Sequence, residues 1–351
     1  MNLKRSRKLV QYCLMGRVSK ILLLTVLCLV VLGGVTLSLP TLLVVELKQA
    51  QEQPLFTPNE AFPVTVNPKN KTIVESAAVN ALFEPGSPLV AAASNTQNAL
   101  ASVFEWVALS ITSMPWYQAL AGVDARFVVI TPGMRKEQVA SAFASTLGWD
   151  AKQKQTFLTP TPYSSLPLAE GSFSPGVYTL DVGMSSTVAQ ALVNDRFRSE
   201  ILSHYGTTTA QIVPLNEALT IASLIEREAG GADDMRIISG IIWNRLFINM
   251  PLQIDATLQY AKVGRSGTGG SWWPQVVPSD RFRISAYNTY LHGGLPPTPI
   301  ASPSVASVLA ALNPVNTTCI FYFHDSARQF HCSDTYAEHV ALLKKYFGRG
   351  K

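Results

Sequence analysis

Charge is scarce in this sequence. Only 15% of its 351 residues are Asp, Glu, Lys or Arg, while 47% are hydrophobic. Ordinary soluble domains carry roughly 25% charged residues, so the deficit points toward membrane association. Positive charge is confined further still. Residues 1–45 hold six basic side chains (Lys4, Arg5, Arg7, Lys8, Arg17, Lys20) and no acid, which leaves 22 basic against 23 acidic residues in the remaining chain. The overall charge of +5 therefore belongs to a short tail. A basic nucleic-acid-binding surface is excluded. Several motifs are missing as well. GRSGTGGSWWP lacks the G-K-[ST] of a phosphate loop, and no G-x-S-x-G elbow of a serine hydrolase occurs. No repeat of 20–50 residues points to a solenoid. His324, His331 and His339, seven and eight residues apart, do not form a familiar zinc pattern. Neither a metal nor a cofactor is expected.

One long apolar run stands out. Between Lys20 and Glu46 lie 25 residues without a charge, ILLLTVLCLVVLGGVTLSLPTLLVV. About 20 apolar residues cover the hydrocarbon core of a bilayer, so residues 21–45 are expected to span it. Pro40 is tolerated near the outer end. A cleaved signal peptide is the alternative, but Leu-Ser-Leu-Pro-Thr-Leu-Leu offers a poor small-residue cleavage site. The basic tail places residues 1–20 in the cytoplasm. Residues 46–351 are then extracytoplasmic, on the outer face of the plasma (inner) membrane.

Only Cys319 and Cys332 would be exported. They flank two short strand candidates, Ile320–Phe323 and Phe330–Cys332, around a polar turn. A hairpin would set the two cysteines across from each other, and an oxidising compartment would let them pair. Two reduced, partly buried cysteines are the alternative.

Along the exported chain, residues 46–75 are polar and proline-bearing, an irregular lead-in, and residues 76–122 carry no recognisable chemistry. Arg126–Ile130 reads as a strand, followed by Thr131-Pro132-Gly133 and a helix over Arg135–Leu147. The Pro/Ser/Thr stretch 159–165 is the best internal boundary. Further on, Pro214 opens a helix with body LNEALTIASLIEREA, and Asp233-Asp234 precede a helix over Met235–Asn249. Helices over Ser304–Leu312 and Ala337–Phe347 bracket the hairpin. The layout is α+β.

Within EREA, a wheel at about 100° per residue sets Glu226 and Glu228 about 160° apart, each interrupting the apolar arc. Both cannot serve one site. Glu228 lies in the last turn, at the negative end of the helix dipole, where burial and the dipole both disfavour its charged form. A carboxylic acid still protonated near neutral pH suits general acid catalysis on a glycosidic oxygen. The competing reading is a structural Glu228 paired with a core arginine such as Arg245.

The order EREA, Asn244-Arg245-Leu246, MPLQIDAT (Met250–Thr257), YNTY (Tyr287–Tyr290) and GLPPTPIASP (Gly294–Pro303) resembles the endolytic murein transglycosylases, the YceG-like family. EGSFSPGVY, from Glu170, resembles a further segment of that family. Ala256 stands where the family usually has Pro, and Thr298 where Gly is common. The resemblance implies a single-pass membrane protein in which a small LysM-like α/β module (126–158) follows the lead-in (46–125) and precedes an α+β catalytic domain (166–348). It implies lytic cleavage of MurNAc-β-1,4-GlcNAc bonds within nascent peptidoglycan, leaving 1,6-anhydroMurNAc ends and limiting glycan strand elongation. The catalytic residue falls on Glu228, with Glu226 as runner-up. Asn244, Gln253, Asp255, Thr257, Tyr287, Asn288, Thr289 and Tyr290 are expected to bind substrate. The implied partners are peptidoglycan strands, the synthases that polymerise them, and the lipid bilayer through residues 21–45. Two other readings stay open: a non-catalytic wall-binding protein, and a glycosidase using water with Asp255 or Glu170 as second carboxylate.

Overall fold

A computed structural model describes residues 60–93, 125–159, 169–263 and 271–348, with Gly34 the one position before them. The chain divides into two compact units, residues 1–52 with 103–125, and residues 53–102 with 126–351. The second unit contains nearly all described residues. Apart from Gly34, the expected span 21–45 lies outside them, and among them no helix is long and apolar enough to cross a membrane.

The unit is α+β with three two-stranded sheets among the described residues. β1 (Val66–Asn67) and β2 (Thr72–Ile73) form a short hairpin, followed by α1 (Ala77–Leu82) and α2 (Pro88–Ala93). The described part of the lead-in, from residue 60, is docked. Phe62 and Val66 are buried, Thr65 donates its N–H to Leu312 O (3.1 Å), and Asn313 Nδ2 donates to Pro63 O (2.8 Å).

β3 (Ala125–Ile130), α3 (Lys136–Leu147) and α4 (Ala151–Leu158) build a smaller core. Gly148 adopts φ 69° to end α3, and Asp150 caps α4 through Gln153 N–H. β3 pairs with β4 (Gly176–Asp181), beyond the Pro/Ser/Thr stretch, and α5 (Ser186–Glu200) packs on α4. Val128, Ile130, Phe143, Phe157, Phe173, Tyr178, Leu180 and Val193 close this core, which thus draws on both sides of residues 160–168.

After a short helix α6 (Thr207–Ile212), the larger core rests on α7 (Leu215–Glu228), α8 (Ala232–Phe247) and, further along, α10 (Val305–Leu312). Between them runs α9 (Asp255–Val263). The apolar arc of α7 (Leu219, Ile221, Leu224, Ile225) meets Ile238 and Ile242 of α8 and Val308, Leu309 and Leu312 of α10. Each fully buried Leu or Ile contributes roughly 1.5–3 kcal/mol, so this packing fixes where α7 ends. Asp234 sits in the first turn of α8, where its carboxylate accepts the N–H groups of Gly230 (2.9 Å) and Gly231 (3.3 Å). The capping acid therefore works from inside the helix.

Gly240, in the middle of α8, is needed for close approach. A Cβ there would collide with Val315 O. Gly240→Ala is expected to destabilise the fold by about 2 kcal/mol, because overpacking outweighs the helix propensity gained. Chemical denaturation checks this, and unchanged or raised stability would show that the 315 segment yields.

β5 (Phe321–His324) and β6 (Phe330–Ser333) pair antiparallel, with Tyr322 opposite Cys332. Cys319 and Cys332 are disulfide-bonded. The closing helix α11 (Tyr336–Phe347) is capped by Thr335.

Candidate active site

Glu228 ends α7, half-buried. Its Oε2 accepts the hydroxyl of Tyr322 from β5 (2.9 Å). Burial pushes its carboxyl above the ordinary glutamate range. The nearby Asp255 charge adds to this, while the Tyr322 hydroxyl, the Ala256 N–H and Arg227 oppose it. With alanine at 256, this chain supplies a backbone donor that a proline would lack. Asp255 opens α9, and its Oδ1 accepts the Tyr290 hydroxyl (2.7 Å). Glu228, Asp255, Tyr290 and Tyr322 thus share one locality.

The ion-pair reading of Glu228 and Arg245 does not hold. Arg245 is buried, but its Nε donates to Ile320 O (2.6 Å), and Nη1 donates to Leu252 O (2.5 Å) and Pro251 O (3.3 Å). It binds loops together and remains only an electrostatic neighbour of Glu228.

Glu226 has a different fate. Its Oε2 accepts Ser304 N–H (2.9 Å), Ser304 Oγ (2.7 Å) and Ser307 Oγ (2.6 Å), at the N-terminus of α10. An anion there is favoured by the helix dipole and three donors, an anchoring role. The angular separation on the wheel is realised as two separate neighbourhoods.

The expected sugar-binding residues divide. Asp255 and Gln253 are exposed, and Gln253 holds φ 53° while its N–H donates to Thr289 O (3.1 Å). Tyr287 and Tyr290 are half-buried. Tyr287 OH lies 2.8 Å from Thr298 Oγ1, and its ring centroid lies 4.7 Å from that of Tyr260. Thr257, Asn288 and Thr289 are buried at 0–2% exposure and do not line an open surface. Thr257 donates to Ile254 O (2.6 Å). Asn288 Nδ2 donates to Arg281 O and Arg283 O, and Thr289 Oγ1 accepts Ile254 N–H. Asn244 Nδ2 donates to Thr317 O (2.7 Å) and Cys319 O (3.1 Å), gripping the lead into the hairpin. These four shape the site from behind.

Glu170 is enclosed elsewhere, with Oε1 accepting Lys136 N–H (2.9 Å) and Oε2 accepting Tyr260 OH (3.1 Å). Burial raises its pKa to about 8. Gly171 beside it has φ 89° and lets Pro299 approach so closely that a Cβ would meet the ring at 2.7 Å. The turn at Gly133 is tied to the same segment, with Gly133 N–H donating to Ser302 O (2.8 Å) and Ser302 N–H to Met134 O (2.7 Å). Arg227 lies over the Trp273 ring (4.1 Å), and Arg135 stacks on Tyr260 (4.0 Å) with Trp272 at 5.7 Å. Trp272 and Trp273 thus both lie against arginine side chains.

The three histidines go to separate partners. His324 binds Asp234 (2.6 Å), His331 binds Asp325 (2.8 Å), and His339 stacks on Phe321. Among the described residues no group of three His, Cys, Asp or Glu is placed to hold a metal.

The YceG-like family model matches residues 99–345. The chain belongs to the YceG-like family. Two relatives carry the name endolytic murein transglycosylase. That of Streptococcus pneumoniae serotype 2 is 30% identical over 190 residues, covering 49% of this chain and 34% of the relative. That of Bacillus subtilis is 29% identical over 241 residues, covering 62% and 64%. The match thus spans about a third of the streptococcal relative. A yceG-like protein from Listeria monocytogenes, solved at 2.6 Å, shares the fold, with a TM-score of 0.52 at 23% identity over 70% of this chain and 91% of that one.

Tyr322 was not among the residues singled out in the sequence. The available signal was alternation in FYFH, which sets Tyr322 and His324 on one face of β5.

Proposed function

We propose that this protein is an endolytic lytic transglycosylase that cuts MurNAc-β-1,4-GlcNAc bonds within nascent peptidoglycan strands. Glu228 is the acid and then the base. Its proton passes to the glycosidic oxygen as the C1–O bond breaks. The MurNAc 6-hydroxyl oxygen then bonds to C1, and the Glu228 carboxylate takes that hydroxyl's proton. The products are a free GlcNAc 4-hydroxyl and a 1,6-anhydroMurNAc end, and Glu228 is reprotonated. Water is not consumed, so no second carboxylate is required.

The observation that carries this reading is the setting of Glu228. It is a carboxyl met by the Tyr322 hydroxyl and the Ala256 N–H, with burial raising its pKa and without a direct ion pair among the described residues. Burial favours the protonated form, the state from which a general acid gives its proton. Family membership and the names of the two relatives agree with it. Asp255, Gln253, Tyr287 and Tyr290 are the exposed or half-buried groups that meet sugar hydroxyls.

The same reading anchors the protein in the plasma membrane through residues 21–45, with residues 1–20 cytoplasmic. Residues 126–158 act as a LysM-like glycan-binding module, and residues 166–348 as the catalytic domain. Strand-polymerising synthases are the natural partners of an enzyme that limits strand length.

The test is mass spectrometry of purified glycan strands incubated with the full chain. Anhydro ends at internal cuts are expected. Reducing ends would instead mean hydrolysis, with Asp255 as the second carboxylate. Strand binding without cleavage would mean a wall-binding protein.

A further inference from the structure

We infer that Tyr322 is a positioning residue for Glu228: its hydroxyl holds Oε2, so that Oε1 is the oxygen that carries the proton to and from the glycan. The inference rests on the reading of Glu228 as the acid and deepens it.

The bond from Tyr322 OH to Glu228 Oε2 is 2.9 Å. Burial, the Glu228 charge and this bond push the phenol well above its ordinary range, so it stays protonated whenever Glu228 is charged. Against a carboxylate the phenol can only donate. Against the acid, donation to the carbonyl-like Oε2 leaves the proton on Oε1. The two states of Glu228 then differ by one proton at one oxygen, with no rotation of the carboxyl between the acid and base halves of the cycle.

The hydroxyl is held in place from several sides. Asn244 and Arg245, adjacent on α8, donate to the carbonyls of Thr317, Cys319 and Ile320, immediately ahead of Tyr322. The disulfide closes the hairpin, and Cys332 lies opposite Tyr322. Phe330 stacks on the Tyr322 ring at 5.9 Å. Two residues along the same strand face, His324 binds Asp234, whose carboxylate fixes Gly230 and Gly231 just past Glu228. Strand and helix end are thus clamped together on both sides of the Tyr322–Glu228 bond.

Other groups bear on the titration of Glu228. Asp255 and the Ala256 N–H lie on α9, Arg227 on its own helix, Arg245 on α8, and Tyr290 on the loop that meets α9. All remain in a Tyr322→Phe variant. Only the donor to Oε2 is lost, and that donor favours the carboxylate. Its loss moves the pH limb governed by Glu228 to higher pH.

The experiment measures kcat and KM of the full chain on purified glycan strands across pH, for wild type, Tyr322→Phe, Glu228→Gln and a chain with 3,5-difluorotyrosine at 322. Expected for Tyr322→Phe are a kcat lower by roughly 10- to 100-fold, a KM within about twofold, and the limb displaced upward. The fluorinated phenol, a stronger donor, displaces the limb downward and reports even where the phenylalanine variant folds poorly. An unmoved limb in both variants, or a change confined to KM, overturns the inference. If wild type makes no anhydro ends, or Glu228→Gln keeps its activity, the reading of Glu228 itself fails. A dead Glu228→Gln beside a Tyr322→Phe of wild-type rate and profile overturns the role of Tyr322 alone.

Discussion

Glu228→Gln is expected to lower the rate of anhydro-end formation by about 1,000-fold or more, while Glu226→Gln keeps it within about threefold. Glutamine at 228 still accepts from Tyr322 but has no proton to give. In the proposed cycle every step depends on that proton, so the loss falls on kcat. Glu226 differs because its oxygen is already committed to Ser304 and Ser307 at the start of α10. Removing its charge costs stability instead, about 1–3 kcal/mol for the charge-assisted bonds and the dipole interaction. Product mass spectra and thermal melting of both variants separate the two roles. The reverse pattern, a dead Glu226→Gln and an active Glu228→Gln, would move the acid to the other face of α7.

The helix wheel made the choice between these two glutamates legible as a question, because it set them on different faces. It did not answer it. Their surroundings differ through partners about 80 and 94 residues away, Ser304 to Ser307 for one and Tyr322 for the other. Strand alternation marks Tyr322 and His324 as sharing a face, but which face meets α7 depends on register. A slip of one residue would turn Phe321 and Phe323 toward Glu228 instead. Asn244, Thr257, Asn288 and Thr289 show a second limit. A polar residue in a dense motif looks the same in sequence whether it meets a ligand or a backbone carbonyl, and buried polar groups must find the latter. The lead-in shows a third. Its prolines and polar residues read as an irregular stretch, yet in its described part isolated apolar side chains such as Phe62, Val66 and Leu89 join the larger core. The start of α10 fared better, since Ser304 carries its capping chemistry in its own side chain.

Glu170→Gln is expected to raise stability at alkaline pH and leave it unchanged at acid pH. Burial sets the folded pKa of Glu170 at about 8, with the Lys136 N–H opposing and the Glu137 charge adding to the rise. The unfolded value is the ordinary 4.5. Between these two values the folded state binds the extra proton, so wild-type stability falls as pH rises through that window and levels off above it. Over a gap of this size the loss is on the order of 5 kcal/mol from one group. Glutamine has the shape of the protonated acid. Its carbonyl can accept Lys136 N–H, its amide can donate to the Tyr260 oxygen, and it has no charge to bury. Denaturation of both proteins at pH 4.5 and pH 9 gives the answer. The two should coincide at the lower pH. At the higher pH the variant should melt roughly 5–10 °C above wild type. Curves that stay parallel across the range would mean that Glu170 does not hold its proton in the fold, and that the Lys136 N–H supports a carboxylate there after all.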